Sequence, residues 1–363
     1  MKKTVLTYGE IMGRLSTVEH GRLIQELPGI IRYNFAGAEA NVAASIVLLG
    51  GKARFVSALP KNDLGTACIQ HLRGIGIDTS CIVRHKGRLG LYYVEAGANQ
   101  RPSKVIYDRE YSAMSLVEHS EFDWPKIFTD ASWLHLSGIT PAISQQSAIN
   151  TEEICRLAKE QGLSISCDLN FRKKLWQWQP GTSPKELARK VMPKILQYVD
   201  ILIANEEDSG DILNIHAENS DIETGQLNQQ AYVKVAEQIV RHFPNIRIAA
   251  TTLRESISAS HNNWGAMLFD AKTKKAHFAP LNSQGQYAPY EIRAIVDRVG
   301  GGDAFAAGLI YALNEEGSSP ERALQFAAAA SCLCHSIRGD FNLSSKEDVE
   351  LLLKGNASGR VQR

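Results

Sequence analysis

The chain has 363 residues, 44% of them hydrophobic and 22% charged, with a formal net charge of +1. That length holds one large α/β domain, or one domain with a small accessory element, and the near-neutral balance gives no electrostatic reason to expect nucleic acid or an anionic membrane as a partner. No stretch approaches the roughly 18 apolar residues a membrane span needs, and the apolar run after Met1-Lys2-Lys3 reaches Glu10 too soon for a signal peptide.

Short β-branched runs alternate with longer amphipathic ones. In chain order the pattern predicts a strand at 4–8, a helix at 39–49 closed by Gly50-Gly51, a strand at 53–59 and a helix at 63–73 capped by Asp63. A strand at 133–136, a helix at 144–161 closed by Gly162, and a strand at 163–168 follow. After them come a helix near 184–198, a strand at 200–204, a helix at 230–242 and a strand at 246–251. Such alternation predicts an α/β fold, a mostly parallel central sheet with helices on both faces. Its ligands bind outside the carboxyl ends of the strands.

Residues 11–36 and 86–112 break the rhythm with short polar–apolar alternation and glycine punctuation, and are read as a small β-sheet lid. The core is then 1–10, 37–85 and 113–355. Residues 214–229 read as a polar loop and 356–363 as a disordered tail. Six cysteines (Cys68, Cys81, Cys155, Cys167, Cys332, Cys334) include no Cys-x-x-Cys pair and read as reduced, packed thiols, which points to the cytoplasm.

The chemistry is concentrated near the C-terminus, in Asp297-Arg298-Val299-Gly300-Gly301-Gly302-Asp303. A β-branched run ends at Asp297, three glycines follow, and a helical run continues from Asp303 to about 315. Glycines at a helix entrance expose N–H groups that no Cβ shields. Together with the positive helix end, those donors suit an anion, including the charge that builds on a phosphoryl group during transfer. Asp303, in the first turn, is placed to accept the proton of an attacking hydroxyl, a contribution of ~10²–10⁴-fold. A lone Asp after glycine would favour an ordinary cap, but the full pattern Asp-x-x-Gly-x-Gly-Asp at a strand-to-helix junction favours the base.

The pattern Asp297-x-x-Gly300-x-Gly302-Asp303 resembles the C-terminal signature of the PfkB, or ribokinase-like, carbohydrate kinases. The resemblance implies a ribokinase-like fold, ATP and Mg2+ as cofactors, Asp303 as the base, and the amides of Gly300, Gly301 and Gly302 as an anion hole. It also places Asp297 and Gly302 at the nucleotide. Gly301 stands where the family usually has alanine. The stretch from Phe35 to Ala43 is similar to the family's Gly-Gly-x-x-x-Asn sugar-site segment, with Ala36 in place of the first glycine, so Gly37 and Asn41 are the candidates there. Asn205-Glu206-Glu207-Asp208 resembles the Asn-x-x-Glu motif, which implies Asn205 at the nucleotide and Asp208 or Glu207 at magnesium. Residues 251–264 fall where the family lines its nucleotide site. Arg254 is expected near phosphate, and Trp264 reads as a core residue.

Within the family, the stretches at 136–142, 168–176 and 337–340, with Gly90-Leu91-Tyr92 and Tyr107-Asp108-Arg109, look like 2-keto-3-deoxygluconate kinases. That likeness implies that Tyr92, Tyr107, Arg109 and Arg172 hold an acid sugar. The physics agrees, since a near-neutral protein must neutralise a ligand carboxylate locally and arginine offers a matching fork. Tyrosine rings suit the apolar deoxy carbon. The expected activity is ATP-dependent phosphorylation of 2-keto-3-deoxygluconate at its 6-hydroxyl. A sibling kinase for fructose or ribose, and a non-catalytic sugar-binding sensor on the same fold, remain as alternatives. A nicotinamide-dependent dehydrogenase is disfavoured because no Gly-x-Gly-x-x-Gly follows the first strand. The resemblance also implies a homo-oligomer, a dimer through lids whose sheet edges need cover.

Overall fold

The structure is a computed structural model that describes residues 3–216 and 229–355. Most of the loop expected at 214–229, and all of the tail expected at 356–363, lies outside the described residues. The strands are β1 (Thr4–Tyr8), β2 (Met12–Ser16), β3 (Arg32–Ala36), β4 (Ala53–Pro60), β5 (Ile82–His85), β6 (Leu91–Glu95), β7 (Lys104–Asp108), β8 (Ala131–Ser137), β9 (Ser164–Asp168), β10 (Ile201–Ala204), β11 (Ile248–Ser258), β12 (His261–Asp270), β13 (Lys275–Ala279) and β14 (Tyr290–Ile292).

The large sheet runs β13-β12-β11-β10-β9-β8-β1-β4-β5, with β14 also on β12. Every pairing from β11 across to β5 is parallel, and β12 pairs antiparallel with β11, β13 and β14. Strand β1 is buried along its whole length, as a strand covered on both faces must be. Its successive side chains go to opposite faces. Val5 joins one core cluster, with Phe55, Phe305 and Phe326, while Leu6 joins the other, with Leu134, Ile154 and Trp176. All six cysteines are free, and all but Cys332 are buried in this packing.

Helix ends follow local chemistry. Ser144 caps Gln145–Glu160, and Ser183 with Glu186 forms a capping box on Pro184–Leu196. Helix Asp63–Ile75 is capped by Asn62 rather than by Asp63, because the Asn62 side chain reaches the Gly65 N–H at 3.1 Å.

The small sheet has the order β3-β2-β6-β7. It leaves the large sheet at the carboxyl ends of β1 and β5, and its far side touches the β11–β12 hairpin, where the Ala259 N–H donates to the Asn99 carbonyl at 2.8 Å. That hairpin corrects two expectations. Strand β11 does not stop at Thr251 but continues to Ser258 with β12 as its antiparallel partner, so Arg254 lies opposite Trp264. Trp264 is a core residue, its ring 4.8 Å from that of His335. The β-branched run before Asp297 is not a strand either. The Ile295 N–H goes to the Ser260 carbonyl and the Val296 N–H to the His335 carbonyl, so neither joins a ladder.

Gly37 sits where β3 turns into helix Ala38–Leu48. A Cβ there would lie 2.1 Å from the Glu10 carbonyl oxygen and 2.9 Å from the Ile11 Cα. The glycine is therefore required by the backbone passing from β1 into β2. Gly37→Ala is expected to destabilise the protein by ~1–3 kcal/mol, the usual cost of overpacking. A urea midpoint equal to that of the parent would refute it.

Candidate active site

The carboxyl edge of the large sheet gathers the polar residues. Ser137 ends β8, Asp168 ends β9, and Asn205 follows β10. Beside them helix Gly301–Leu313 presents Asp303 in its first turn. The Asn41 side-chain amide donates to Asp303 Oδ2 at 2.6 Å, while its own oxygen accepts the Gly37 N–H at 3.2 Å. Asn41 is thereby fixed with its N–H groups toward the carboxylate. Two residues earlier on the same helix, Glu39 is buried and accepts the hydroxyls of Ser137 at 2.6 Å and Thr140 at 3.3 Å.

The three glycines have three different reasons. Gly300 has φ +89°, and a Cβ on it would lie 2.3 Å from the Asp340 carbonyl oxygen. Gly301 packs on the His335 ring, 2.9 Å from where its Cβ would be, which accounts for glycine at a position the family fills with alanine. Gly302 has nothing within 4 Å and is exposed. At a helix start the first amides have no intrahelical acceptor, so this turn offers donors beside Asp303.

The carboxylates here are hard to ionise. Asp303, half-buried, is pushed up to about 7, chiefly by burial, with Asp340 and Glu39 adding and Asn41 and Arg172 opposing. Asp208 is pushed up to about 6 by burial, opposed by Arg172 and by the Phe171 N–H at 3.1 Å. Asp168 is raised well above the usual carboxylate range by burial and by the charges of Asp208 and Asp303. Arg172, itself exposed, is the cation common to all three. Asn205 caps helix Glu206–Leu213 by accepting the Asp208 N–H at 2.8 Å, and Glu207 is exposed beside it.

The remaining expected residues lie around this centre. Arg109 is buried and ion-paired with Glu10, its guanidinium 5.7 Å from the centre of the half-buried Tyr107 ring. Tyr92 is buried and donates to Asp340 Oδ2 at 2.6 Å. Both carboxylate oxygens of Asp297 are taken by protein: one accepts the Val299 N–H, the other Arg14 at 2.7 Å and the Gly339 N–H. Arg254 is exposed on the β11–β12 hairpin. Sequence reasoning did not single out Glu10, Arg14, Glu39, Asp168 or Asp340. Glu39, Asp168 and Asp340 stood in stretches already matched to the family and were legible. Arg14 was not, since its partners lie 283 and 326 residues away.

A parallel sheet of this order, with a companion sheet and a glycine-turn helix at its carboxyl edge, is the ribokinase-like fold, and the protein is a carbohydrate kinase. The chain belongs to the pfkB family of carbohydrate kinases, whose family model matches residues 2–243 and 265–346. It is similar to a structure of 2-dehydro-3-deoxygluconokinase from Thermotoga maritima, with 44% identity and a TM-score of 0.87 over 97% of this chain and 100% of that one. It is 30% identical to 2-dehydro-3-deoxygalactonokinase of Haloferax volcanii over 99% of both chains. It is 26% identical to 2-dehydro-3-deoxygluconokinase of Bacillus subtilis, over 97% of this chain and 96% of that protein.

Burying Asp303 has a stability consequence. Its folded pKa of about 7 lies above the unfolded value, near 3.9, so the native state holds the proton more tightly. The stability that proton confers is complete below about pH 4 and lost as pH rises through about 7. Asp303→Asn is expected to melt roughly 2–4 °C above the parent at pH 8, the difference vanishing below about pH 4. Identical melting curves at pH 8 would contradict this.

Proposed function

We propose that this kinase transfers the γ-phosphoryl group of ATP to the 6-hydroxyl of 2-keto-3-deoxygluconate. The observation that carries the reading is the Asn41–Asp303 pair set against the amides of the Gly300–Gly302 turn. Asp303, with a pKa close to neutral, suits a base that must accept the hydroxyl proton in the working pH range. The bond from Asn41 aims it. The amides of Gly301 and Gly302 are donors for the charge that grows on the phosphoryl oxygens, where preorganised dipoles act most strongly.

Arg172 is the proposed partner of the sugar carboxylate. It is exposed just beyond the carboxyl end of β9, whereas Arg109 is committed to Glu10 and Tyr92 to Asp340. Tyr92, Tyr107, Arg109 and Gly37 then shape the wall on the small-sheet side, and residues 11–36 with 86–112 act as a lid over the 1–10, 37–85 and 113–355 core. The names of the three proteins compared above, each a kinase of a 2-dehydro-3-deoxy sugar acid, support this substrate class.

ATP and magnesium fit the residues present. Asp168 and Asp208 are both raised by burial, and Arg172 is the cation that opposes the rise in each. Among the described residues no three ligating side chains form a cage, which suits a magnesium ion that keeps waters and phosphate oxygens as ligands. Asp208, with Glu207 and Asn205 beside it, would hold the ion and the phosphates, and Arg254 and Asp297 lie toward the nucleotide. When bound, the ion neutralises phosphate charge during transfer.

A coupled assay with ATP and magnesium should show turnover on 2-keto-3-deoxygluconate well above that on its 4-epimer, the 2-keto-3-deoxygalactonate, and on fructose. Turnover should be lost with excess chelator. Preferential turnover of fructose would overturn the substrate assignment. Asp303→Asn should lower kcat by ~10² or more while keeping sugar binding. Arg172→Ala should raise KM for the two acid sugars and leave any fructose activity in place; an equal loss on all three would count against the carboxylate contact.

We also propose a dimer through the small sheets. Ile24 and Ile30 between β2 and β3, Tyr33 on β3 and Ile106 on β7 are 43–79% exposed, and apolar side chains gathered in this way mark an interaction surface. Light scattering should give twice the chain mass, and Ile30→Glu with Ile106→Glu should shift it toward the monomer. A monomeric parent would refute the pairing.

A further inference from the structure

We propose that Arg14 is a positioning residue for phosphoryl transfer, tying the small sheet to the glycine turn so that the two keep one geometry. The inference rests on the kinase reading above and concerns a side chain that touches neither the base nor the glycine amides.

Arg14 lies on β2, yet its guanidinium reaches out of the small sheet into a buried cluster. One nitrogen bonds Asp297 at 2.7 Å and another bonds Asp340, and the arginine is 4% exposed. Each of these carboxylates holds backbone. Asp297 accepts the Val299 N–H and the Gly339 N–H, both at 3.2 Å, so it joins the approach to the glycine turn with the turn that follows helix Pro320–Cys334. Asp340 places its own carbonyl against Gly300, at the spot where a side chain would be 2.3 Å away. From β6, Tyr92 donates to the second oxygen of Asp340. Two strands of the small sheet therefore grip two backbone segments that together set the direction of the Gly301 and Gly302 amides.

The charge matters as much as the shape. Asp297 and Asp340 are two carboxylates close behind an anion site. Arg14 is the guanidinium bonded to both, and a fork can span two carboxylates where an ammonium cannot. Left unpaired, the acids would oppose negative charge building on the phosphoryl group and would hold the proton on Asp303 more tightly. Asp303 is faced by Glu39 and Asn41 from helix Ala38–Leu48, by Asp168 and Arg172 from the end of β9, by Cys334, and by Asp340. Of these, Asp340 is the one bonded to Arg14.

The test compares the full-length parent with Arg14→Met and Arg14→Lys. For Arg14→Met we expect kcat to fall ~10²-fold with KM for the acid sugar within about threefold, the split of a group acting on the transition state. The acid limb of the kcat–pH profile should move upward by ~0.5 unit or more as Asp340 loses its counter-charge. Arg14→Lys, which keeps charge without the fork, should lose rate but hold the limb in place. Hydrogen exchange should rise ~10-fold or more in peptides covering 297–304 and 336–341 of Arg14→Met, and stay unchanged in 145–160. A kcat within about threefold of the parent overturns the proposal, as does a rate loss with both the pH limb and the turn's exchange unchanged. If Arg14→Met does not fold, Arg14→Lys decides: a tenfold or greater loss of kcat supports the role, and a rate within about threefold of the parent overturns it. A parent that phosphorylates none of the three sugars would sink the substrate reading and leave the exchange comparison to decide Arg14.

Discussion

The hydrogen bond from Asn41 to Asp303 is the contact on which the rest of the site depends. It joins two helices whose paired residues are 262 positions apart. It also answers a conflict built into a buried carboxylate. Desolvation makes Asp303 a stronger base, but an unbonded carboxylate in such a place would turn away or stay protonated. The amide of Asn41 fixes the carboxylate's direction at a modest cost in basicity, and it is itself fixed because its oxygen is taken by Gly37. Gly37 in turn sits where it does because the Glu10 carbonyl passes within 2.1 Å of its absent side chain. The alignment of the carboxylate thus traces back to the crossing of two backbone segments, which is stiffer than any side-chain contact.

Charge is distributed around that centre in separate groups. Glu10 is paired with Arg109, and Asp297 and Asp340 with Arg14. Asp168, Asp208 and Asp303 share Arg172. The first two groups are closed and buried, and they act as framework. The third has three carboxylates to one arginine and lies at the carboxyl edge of the sheet, where we propose that ligands complete it. Elevated carboxylate pKa values collected at one end of a parallel sheet are the electrostatic mark of such a place.

Much of this was legible in the residues. The parallel core could be read because β1, β8, β9 and β10 are short apolar runs set between amphipathic helices, and Asp303 because three glycines precede it. The β11–β12 hairpin escaped because residues 255–263 are polar apart from Ile257 and Ala259, and so few apolar positions leave no period to count. The segment before Asp297 looked like a strand for the opposite reason: Ile295 and Val296 are β-branched, but their N–H groups go singly to Ser260 in the hairpin and to His335 at the end of helix Pro320–Cys334. Gly37 was readable as a close-approach glycine, but not what approaches it. Arg14 gave no signal, because a single arginine in a small strand reads as solvated and only the fold brings Asp297 and Asp340 to it.

The packing of the six cysteines has a use of its own. Burial is the main force raising every one of these thiols above its ordinary acidity, so at neutral pH the nucleophilic thiolate is scarce and alkylating reagents meet little to attack. They are spread over helices Asp63–Ile75, Gln145–Glu160 and Pro320–Cys334, strand β9 and the segment ahead of β5. The five buried ones become reactive only when their own neighbourhoods open. The untouched protein therefore contains a set of chemical clocks, and the order in which they are labelled would chart which parts of the molecule breathe first.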